Sequence, residues 1–176
     1  MTEVCARTPG VRQKRLMQSI ARAFNGHLTQ HRKILLNLIL QLKVAPETGD
    51  FTGDINALTP LGAQIASALF QFAATEQVPL VLSLMTATPE TLVGWCKTLG
   101  GSKMIESFLD SKSGPELKLK LIKKFAGHLA TIACDKYGSH TVDCCWKHSS
   151  MEQKEKIAGK KQKGKKKNRI IKKNIF

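Results

Sequence analysis

Residues 137–145 read YGSHTVDCC, and two other segments of the chain align with them without gaps. These segments are GGSKMIESF at residues 100–108 and LGAQIASAL at residues 61–69. A glycine stands at the second position of each segment, so consecutive glycines are 39 and 37 residues apart. Apolar residues or cysteines recur four and seven positions after each glycine, which is helical spacing. A repeat of this length predicts stacked helical units.

The residues around these segments predict further helices. Thr59-Pro60 and Thr88-Pro89 each combine an N-cap residue with a proline of the first turn, and Ser113-Gly114-Pro115-Glu116 is similar. A short helix therefore precedes the glycine-centred helix of each later unit, at 89–98 and 128–135. A third helix follows, at 115–125 and 150–157. No stretch alternates apolar and polar residues as a strand does, so the fold class is all-α.

The first third of the chain also reads as helical. Val11, Leu16, Met17, Ile20 and Phe24 form an apolar stripe that ends before Asn25-Gly26. A Leu-rich helix is predicted over 34–44, and the Pro, Gly and Asp content of 46–56 predicts a loop.

The repeat resembles that of a known family. The segments FAGHLA, residues 125–130, and DKYGSHTVD, residues 135–143, look like a Pumilio (PUF) repeat. Residues 92–109 are a weaker version, and residues 58–72 are weaker still. The resemblance implies an α-solenoid of three-helix repeats that binds RNA, and among nucleolar members of the family it implies precursor ribosomal RNA of the small subunit. Family members usually carry eight or more repeats, whereas about three are found here, the last of them truncated.

Three regions follow from this organisation. We expect N-terminal helices and a loop over 1–56, PUF-like repeats over 57–158, and a basic disordered tail over 159–176. The chain therefore has the character of a fragment or an isoform, and missing neighbours would leave apolar repeat faces uncovered.

The glycine-centred helices carry the candidate RNA-binding residues. Ser139, His140 and Asp143 span one arc of about 100° on a helix, while Thr141, Val142 and Cys145 face the other way. In the PUF family one helix of each repeat lines a concave surface and reads one base. The resemblance therefore implies RNA contacts from the equivalent positions of all three repeats, which are Ser139, His140, Asp143, Ser102, Lys103, Glu106 and Gln64.

These residue types suit single-stranded RNA. A carboxylate accepts hydrogen bonds from guanine, and an imidazole stacks on bases. Ser102 and Glu106 match the family's guanine-reading pair, whereas the shorter Asp143 weakens that match in the last repeat. Lys103 stands at the stacking position and suits a phosphate contact. Ala63 and Ser67 cannot read a base edge as a pair, so the first repeat is interpreted as structural.

The charge favours an anionic partner. The 176 residues carry a formal charge of +15, and nine Lys or Arg but no acid lie in 159–176. Such a tail adds sequence-independent RNA affinity and resembles a nuclear and nucleolar address. The residues expected to act in this way are Lys160, Lys161, Lys163, Lys165, Lys166, Lys167 and Arg169.

Other classes of protein have little support in the sequence. No apolar run reaches the 18 residues of a membrane span, and no secretory signal opens the chain. No Cys-centred elbow or phosphate-binding loop indicates an enzyme or a small-molecule substrate. We therefore expect no catalysis, no membrane partner, no cofactor and no metal. Zinc remains the alternative, because six possible ligands crowd into 21 residues without the usual paired spacing: His128, Cys134, His140, Cys144, Cys145 and His148.

The function expected from this resemblance is non-catalytic binding of precursor ribosomal RNA during small-subunit rRNA processing, in the nucleus and nucleolus. Proteins of the pre-ribosomal particle are further possible partners. One alternative is a helical-repeat scaffold of HEAT or armadillo type that binds protein through an apolar or acidic-peptide groove. Another is a non-functional truncated isoform, which would melt without cooperativity and aggregate.

Overall fold

A computed structural model describes residues 10–47, 54, 57–151, 153 and 154. Nine α-helices and one 3-10 turn (Arg32–Ile34) lie within those residues, which contain no strand. The first four helices are α1 (Gly10–Ala23), α2 (Leu35–Gln41), α3 (Pro60–Leu69) and α4 (Ala74–Thr86). The other five are α5 (Pro89–Cys96), α6 (Leu99–Leu109), α7 (Pro115–Lys124), α8 (Leu129–Ala133) and α9 (Gly138–His148).

Threonine hydroxyl groups cap the N-termini of two helices at the positions that the sequence predicts. The Thr59 Oγ1 accepts a hydrogen bond from the Gly62 N–H at 3.0 Å, and the Thr88 Oγ1 accepts one from the Thr91 N–H at 3.2 Å. Each threonine thereby satisfies a backbone donor that has no partner inside its helix. Ser113 does not cap α7: its hydroxyl donates to the Gln77 side chain at 2.8 Å, which ties α7 to α4.

The helices form three successive units of an α-solenoid. The first unit contains α2, α3 and α4, the second α5, α6 and α7, and the third α8 and α9. The middle helices α3, α6 and α9 lie side by side, since α6 packs against both α3 and α9. The predicted third helix of the last unit, 150–157, is helical at residues 151, 153 and 154. Residue 150 is not helical, and residues 152 and 155–157 lie outside the described residues.

A single apolar core runs through the units. It extends from Met17 in α1 to Cys145 in α9 without a break. Phe70 and Phe108 meet between the first two units with ring centroids 5.3 Å apart in an edge-to-face arrangement. The helix α2 packs against α3 and so belongs to this core. The predicted repeat region, 57–158, begins after α2.

The recurring glycines mark a close backbone contact. A Cβ at Gly62 would overlap the carbonyl oxygens of Ile39 and Leu40, at the end of α2. Gly101 meets the Trp95 carbonyl in the same way, and Gly138 meets that of Ile132. In every unit, therefore, the middle helix begins directly against the backbone of the helix before it, and only glycine leaves room for that approach.

The N-terminal helices differ in detail from their prediction. Within the predicted stripe of α1, Met17 is buried, but Val11 and Leu16 are 68% and 45% exposed. Gln13 is buried in their place, and its side-chain oxygen accepts a hydrogen bond from the Ala73 N–H at 2.8 Å. The predicted helix over 34–44 is shorter, because the chain adopts the left-handed conformation at Leu42, where φ is 55°.

Candidate nucleic-acid interface

The row of middle helices places the candidate residues of three repeats beside one another. Lys103 on α6 and His140 on α9 occupy equivalent positions, two residues after the close-packed glycine, and both are exposed. Gln64 occupies that position on α3 and is exposed as well. Their side chains have no hydrogen-bond or ion-pair partner within the described part of the chain. The three side chains therefore present free polar groups along one row.

A hydrogen-bond network joins α6 to α9 beneath this row. The Ser102 hydroxyl lies 2.6 Å from the Glu106 Oε1 and 3.0 Å from the Tyr137 carbonyl oxygen. The Thr141 hydroxyl donates to the Ser102 Oγ at 3.2 Å. Because a serine hydroxyl has one proton, it donates to either Glu106 or Tyr137 at a given moment.

Ser102 and Glu106 are thus brought together, but they are not equally accessible. Ser102 is only 3% exposed, whereas Glu106 is half-buried. The carboxylate can reach a ligand while the serine hydroxyl holds it in place. A role for Ser102 in direct base contact stays a prediction, and its geometry suits a positioning residue.

The candidates on α9 point away from the core. His140 and Asp143 are exposed and Ser139 is half-buried, with its hydroxyl donating to the Lys136 carbonyl at 3.0 Å. The expected opposite face is confirmed: three residues there are at most 8% exposed, namely Thr141, Val142 and Cys145. The last repeat therefore presents a histidine ring and a carboxylate with no partner among the described residues.

The first repeat lacks an accessible pair. Ala63 is 1% exposed, and Ser67 is buried with its hydroxyl donating to the Ala63 carbonyl at 2.8 Å. Serine commonly satisfies itself in this way inside a helix. Gln64 is the exposed candidate on α3, so this repeat offers less polar chemistry than the other two.

Asp135, which is not among the predicted site residues, bonds to the backbone at the start of α9. Its Oδ1 accepts hydrogen bonds from the N–H groups of Tyr137 at 2.9 Å and Gly138 at 3.0 Å. The hydrogen bond from Gly138, followed by that from Tyr137, lowers the pKa of the Asp135 carboxyl. An Asp whose side chain accepts from the N–H groups two and three residues later is a common turn motif, so Asp135 could have been predicted from the sequence.

A second contact between repeats lies at the other end of α6. Asp110 follows α6, and its Oδ1 lies 2.9 Å from the Lys147 Nζ and 2.8 Å from the His148 Nε2. The hydrogen bond from Lys147 is the main cause of a lowered pKa at Asp110, and that from His148 is the next. The Lys147–Asp110 ion pair and the contact of Asp110 with the half-buried His148 ring link α9 to the preceding unit.

The six possible zinc ligands do not gather in one place among the described residues. The described part of the chain brings Cys144 and His148 near Asp110, with one ligand atom from each residue within 4.8 Å of the others. Asp110 is engaged there by Lys147, and burial raises the pKa of the Cys144 thiol to about 12. These surroundings favour the neutral thiol and the ion pair.

Burial also lowers the reactivity of the cysteines that a catalytic role would require. Desolvation raises the pKa of Cys96 to about 12 and that of Cys145 well above its ordinary value. Such thiols are poor nucleophiles, because the thiolate is the reactive form. Cys134 is exposed.

Two further predictions concern the tail and membranes. Lys160, Lys161, Lys163, Lys165, Lys166, Lys167 and Arg169 lie outside the described residues. Among the described residues, no helix has the length and apolar character needed to cross a bilayer.

Comparison with known proteins identifies the repeat. The family model described as NOP9-like PUF repeat domain matches residues 1–167. Pumilio homolog 23 of Arabidopsis thaliana is 30% identical over 98 residues, which are 56% of this chain and 13% of that protein. Nucleolar protein 9 of Emericella nidulans is 35% identical over 65 residues, which are 36% of this chain and 9% of that protein. The chain thus matches only about a tenth of the length of these relatives.

Solved structures show the same fold. The structure of APUM23 with GGAGUUGACGG has a TM-score of 0.71 at 23% identity, covering 83% of this chain and 28% of that chain. A form of APUM23 with its insert region deleted, with GGAAUUGACGG, has a TM-score of 0.73 at 24% identity and covers 90% of this chain and 33% of that chain. Because the family model covers almost the whole chain and its helices stack as in these structures, the chain belongs to the family of NOP9-like PUF repeat domains.

Proposed function

We propose that this chain binds single-stranded precursor ribosomal RNA along α3, α6 and α9, and that it acts without catalysis in small-subunit rRNA processing. The observation that carries the proposal is the row of middle helices, which presents unpartnered polar side chains at equivalent positions of adjacent units. A PUF-type solenoid reads bases from such a row, one helix to a base.

The three repeats would contribute unequally. His140 offers a ring for stacking, and the Glu106 and Asp143 carboxylates offer acceptors for a Watson–Crick edge that carries donors. Lys103 suits a phosphate. On the first repeat only Gln64 has an exposed polar side chain among the candidates of α3. We therefore propose that base specificity comes from α6 and α9 and that α3 mainly extends the contact.

The names of the relatives support a proposed biological setting. Several of them carry the name Nucleolar protein 9, and the proposed location is accordingly the nucleolus. There the solenoid would occupy RNA near a processing site and control the access of nucleases. The basic tail, from Lys160 to Arg169, would add affinity that does not depend on base sequence.

Fluorescence anisotropy with single-stranded precursor ribosomal RNA tests this proposal. The full chain is compared with His140→Ala and Glu106→Gln, at fixed salt, and duplex RNA of the same sequence serves as the competitor. Glu116→Gln is the matched control, because Glu116 is an exposed glutamate on α7, away from the row.

We expect each row variant to weaken single-strand binding several-fold and the control to leave it unchanged. The proposal is wrong if the row variants bind as tightly as the original chain, or if duplex RNA competes equally well. Either result would favour a protein-binding scaffold whose RNA affinity comes from charge alone.

A further inference from the structure

The positive charge of the repeat region is concentrated at one end of the chain. Residues 10–46 contain seven Lys or Arg and no Asp or Glu, whereas residues 47–158 contain eleven Lys or Arg and twelve Asp or Glu. The larger part of the excess positive charge of the folded units therefore lies on α1 and the 3-10 turn, with Lys43 just after α2. The second unit, residues 89–124, contains seven Lys and four acids, and the third, residues 129–148, contains two Lys and two Asp.

These charges form a defined surface, which we name the N-terminal cationic surface. It consists of six exposed side chains on α1 and the 3-10 turn: Arg12, Lys14, Arg15, Arg22, Arg32 and Lys33. None of them forms an ion pair within the described part of the chain. By contrast, the Lys124 ammonium donates to the carbonyls of Met85 and Ala87, and Lys147 pairs with Asp110. Those two lysines make contacts within the fold, whereas the six cations form no ion pair among the described residues.

The placement of the charges works against the stability of α1. Arg12, Lys14 and Arg15 lie within its first six residues, and its first turn contains no acid. The N-terminus of a helix favours negative side chains, because its free N–H groups carry partial positive charge. Arg12 and Arg15 also repel each other as neighbours three residues apart. An anionic ligand would relieve both effects.

We propose that the N-terminal cationic surface binds the phosphate backbone of RNA, independently of base sequence and outside the segment read by the middle helices. This inference rests on the proposed function, because it assigns a second contact to the same RNA. Four of the six residues are arginines, whose planar guanidinium groups bind phosphate oxygens in pairs.

The location of the surface agrees with a second contact. The main packing partner of α1 is α4, which is the third helix of the first unit and does not belong to the row of middle helices. The turn at Arg32–Ile34 packs on α4 as well, and the Thr86 hydroxyl of α4 donates to the Lys33 carbonyl at 2.8 Å. Arg15 and Arg22 lie two turns apart on the outer side of α1, about 10 Å along its axis. A backbone that leaves the row and crosses α1 would meet successive guanidinium groups.

The test measures RNA affinity as a function of salt with the full chain. The variant combines Arg12→Gln, Arg15→Gln and Arg22→Gln. The matched control removes the same charge from exposed lysines of the second unit, through Lys112→Gln, Lys120→Gln and Lys123→Gln. Circular dichroism is used to check that both variants keep the helical content of the original chain. The probe is a single-stranded precursor ribosomal RNA longer than the row can cover, and poly-glutamate is the competitor.

Each phosphate contact contributes about 0.7 to the slope of log affinity against log salt for a single strand. Three lost contacts should therefore lower the slope by about 2. The ratio of original to variant affinity should then fall about tenfold between about 50 mM and about 150 mM salt. The lysine control should change the slope by less than one contact.

Three outcomes would overturn the inference. The arginine variant and the lysine control could weaken binding equally, which would indicate net charge alone. The arginine variant could keep its salt slope while His140→Ala still weakens binding, which would leave the proposed function standing without this second contact. Third, poly-glutamate could displace RNA from the original chain but not from the arginine variant, while the salt slope of RNA binding is the same for both chains. That result would indicate an acidic protein as the partner of the surface.

Discussion

Replacing Ser102 with alanine separates a positioning role from a base-reading role. The Ser102 hydroxyl lies at the junction of α6 and α9, where it accepts a hydrogen bond from Thr141 and donates to Glu106 or Tyr137. Ser102→Ala deletes that oxygen without changing the backbone or adding volume. Its effect on stability and its effect on RNA affinity should differ, because the hydroxyl is buried while Glu106 is half-exposed.

The size of the stability effect follows from the groups left behind. The Thr141 side chain is buried, at 1% exposure, so its hydroxyl cannot turn to water when Ser102 is removed. An unsatisfied buried donor costs about 1–3 kcal/mol. Part of this cost is recovered if the Thr141 hydroxyl donates to the Tyr137 carbonyl four residues earlier, as threonines in helices often do. We expect Ser102→Ala to lower the free energy of unfolding by about 1–2 kcal/mol.

Urea unfolding of the full chain, followed by circular dichroism, measures this change as a shift of the midpoint at constant slope. The double variant Ser102→Ala/Thr141→Val replaces both partners by apolar groups, which can be nearly neutral. The double variant should therefore recover about 1 kcal/mol relative to Ser102→Ala. RNA affinity should fall less than about threefold in Ser102→Ala and by more in Glu106→Gln. A Ser102→Ala chain that unfolds like the original, yet binds RNA at least ten times more weakly, would refute the positioning role.

Four other predictions rest on contacts described above. Gly138→Ala should destabilise the chain by about 1–3 kcal/mol in urea unfolding, because its Cβ would overlap the Ile132 carbonyl; an unchanged midpoint would contradict that contact. A double-mutant cycle with Phe70→Leu and Phe108→Leu should give a coupling of about 0.5–1.5 kcal/mol, and additive single effects would show that the edge-to-face geometry contributes nothing. The pKa of the Asp135 carboxyl is lowered in the folded state, so its carboxylate should stabilise α9 fully at neutral pH and lose this effect as the pH falls through that pKa. The thermal unfolding midpoints of the original chain and Asp135→Asn should therefore differ at about pH 7 and converge in acid. In alkylation at pH 8 followed by peptide mass spectrometry, Cys134 should react first among the four cysteines that the structure describes, and the argument from burial fails if any of these react as quickly: Cys96, Cys144 and Cys145.

Much of this architecture could be predicted from local patterns. The Thr-Pro pairs predict the starts of α3 and α5, since a cap and a first-turn proline act within one helical turn. The repeated glycines predict the equivalence of α3, α6 and α9. The exposed face of α9 follows from helical geometry, which places His140 and Asp143 opposite Thr141 and Val142.

The contacts between units could not be predicted in the same way. The burial of Ser102 depends on how closely α9 approaches α6, which no pattern within α6 records. Asp110 meets Lys147 across 37 residues of sequence. Val11 belongs to an apolar stripe yet is exposed, because α1 packs through Gln13 and Met17. The N-terminal cationic surface does not stand out in the overall composition, because the twelve acids of residues 47–158 offset the basic residues that precede the tail.

The glycine contacts have a consequence for divergence among related chains. The offset between the first and middle helices of each unit is set by backbone atoms on one side and a hydrogen atom on the other. The nearest atom to each glycine is a backbone carbonyl oxygen, so many substitutions elsewhere on these helices should leave this offset unchanged. This offers a physical account of how a chain that is 23% identical to APUM23 superposes on it with a TM-score of 0.71. A family built in this way can exchange the residues that meet its ligand while the distance from one unit to the next stays constant.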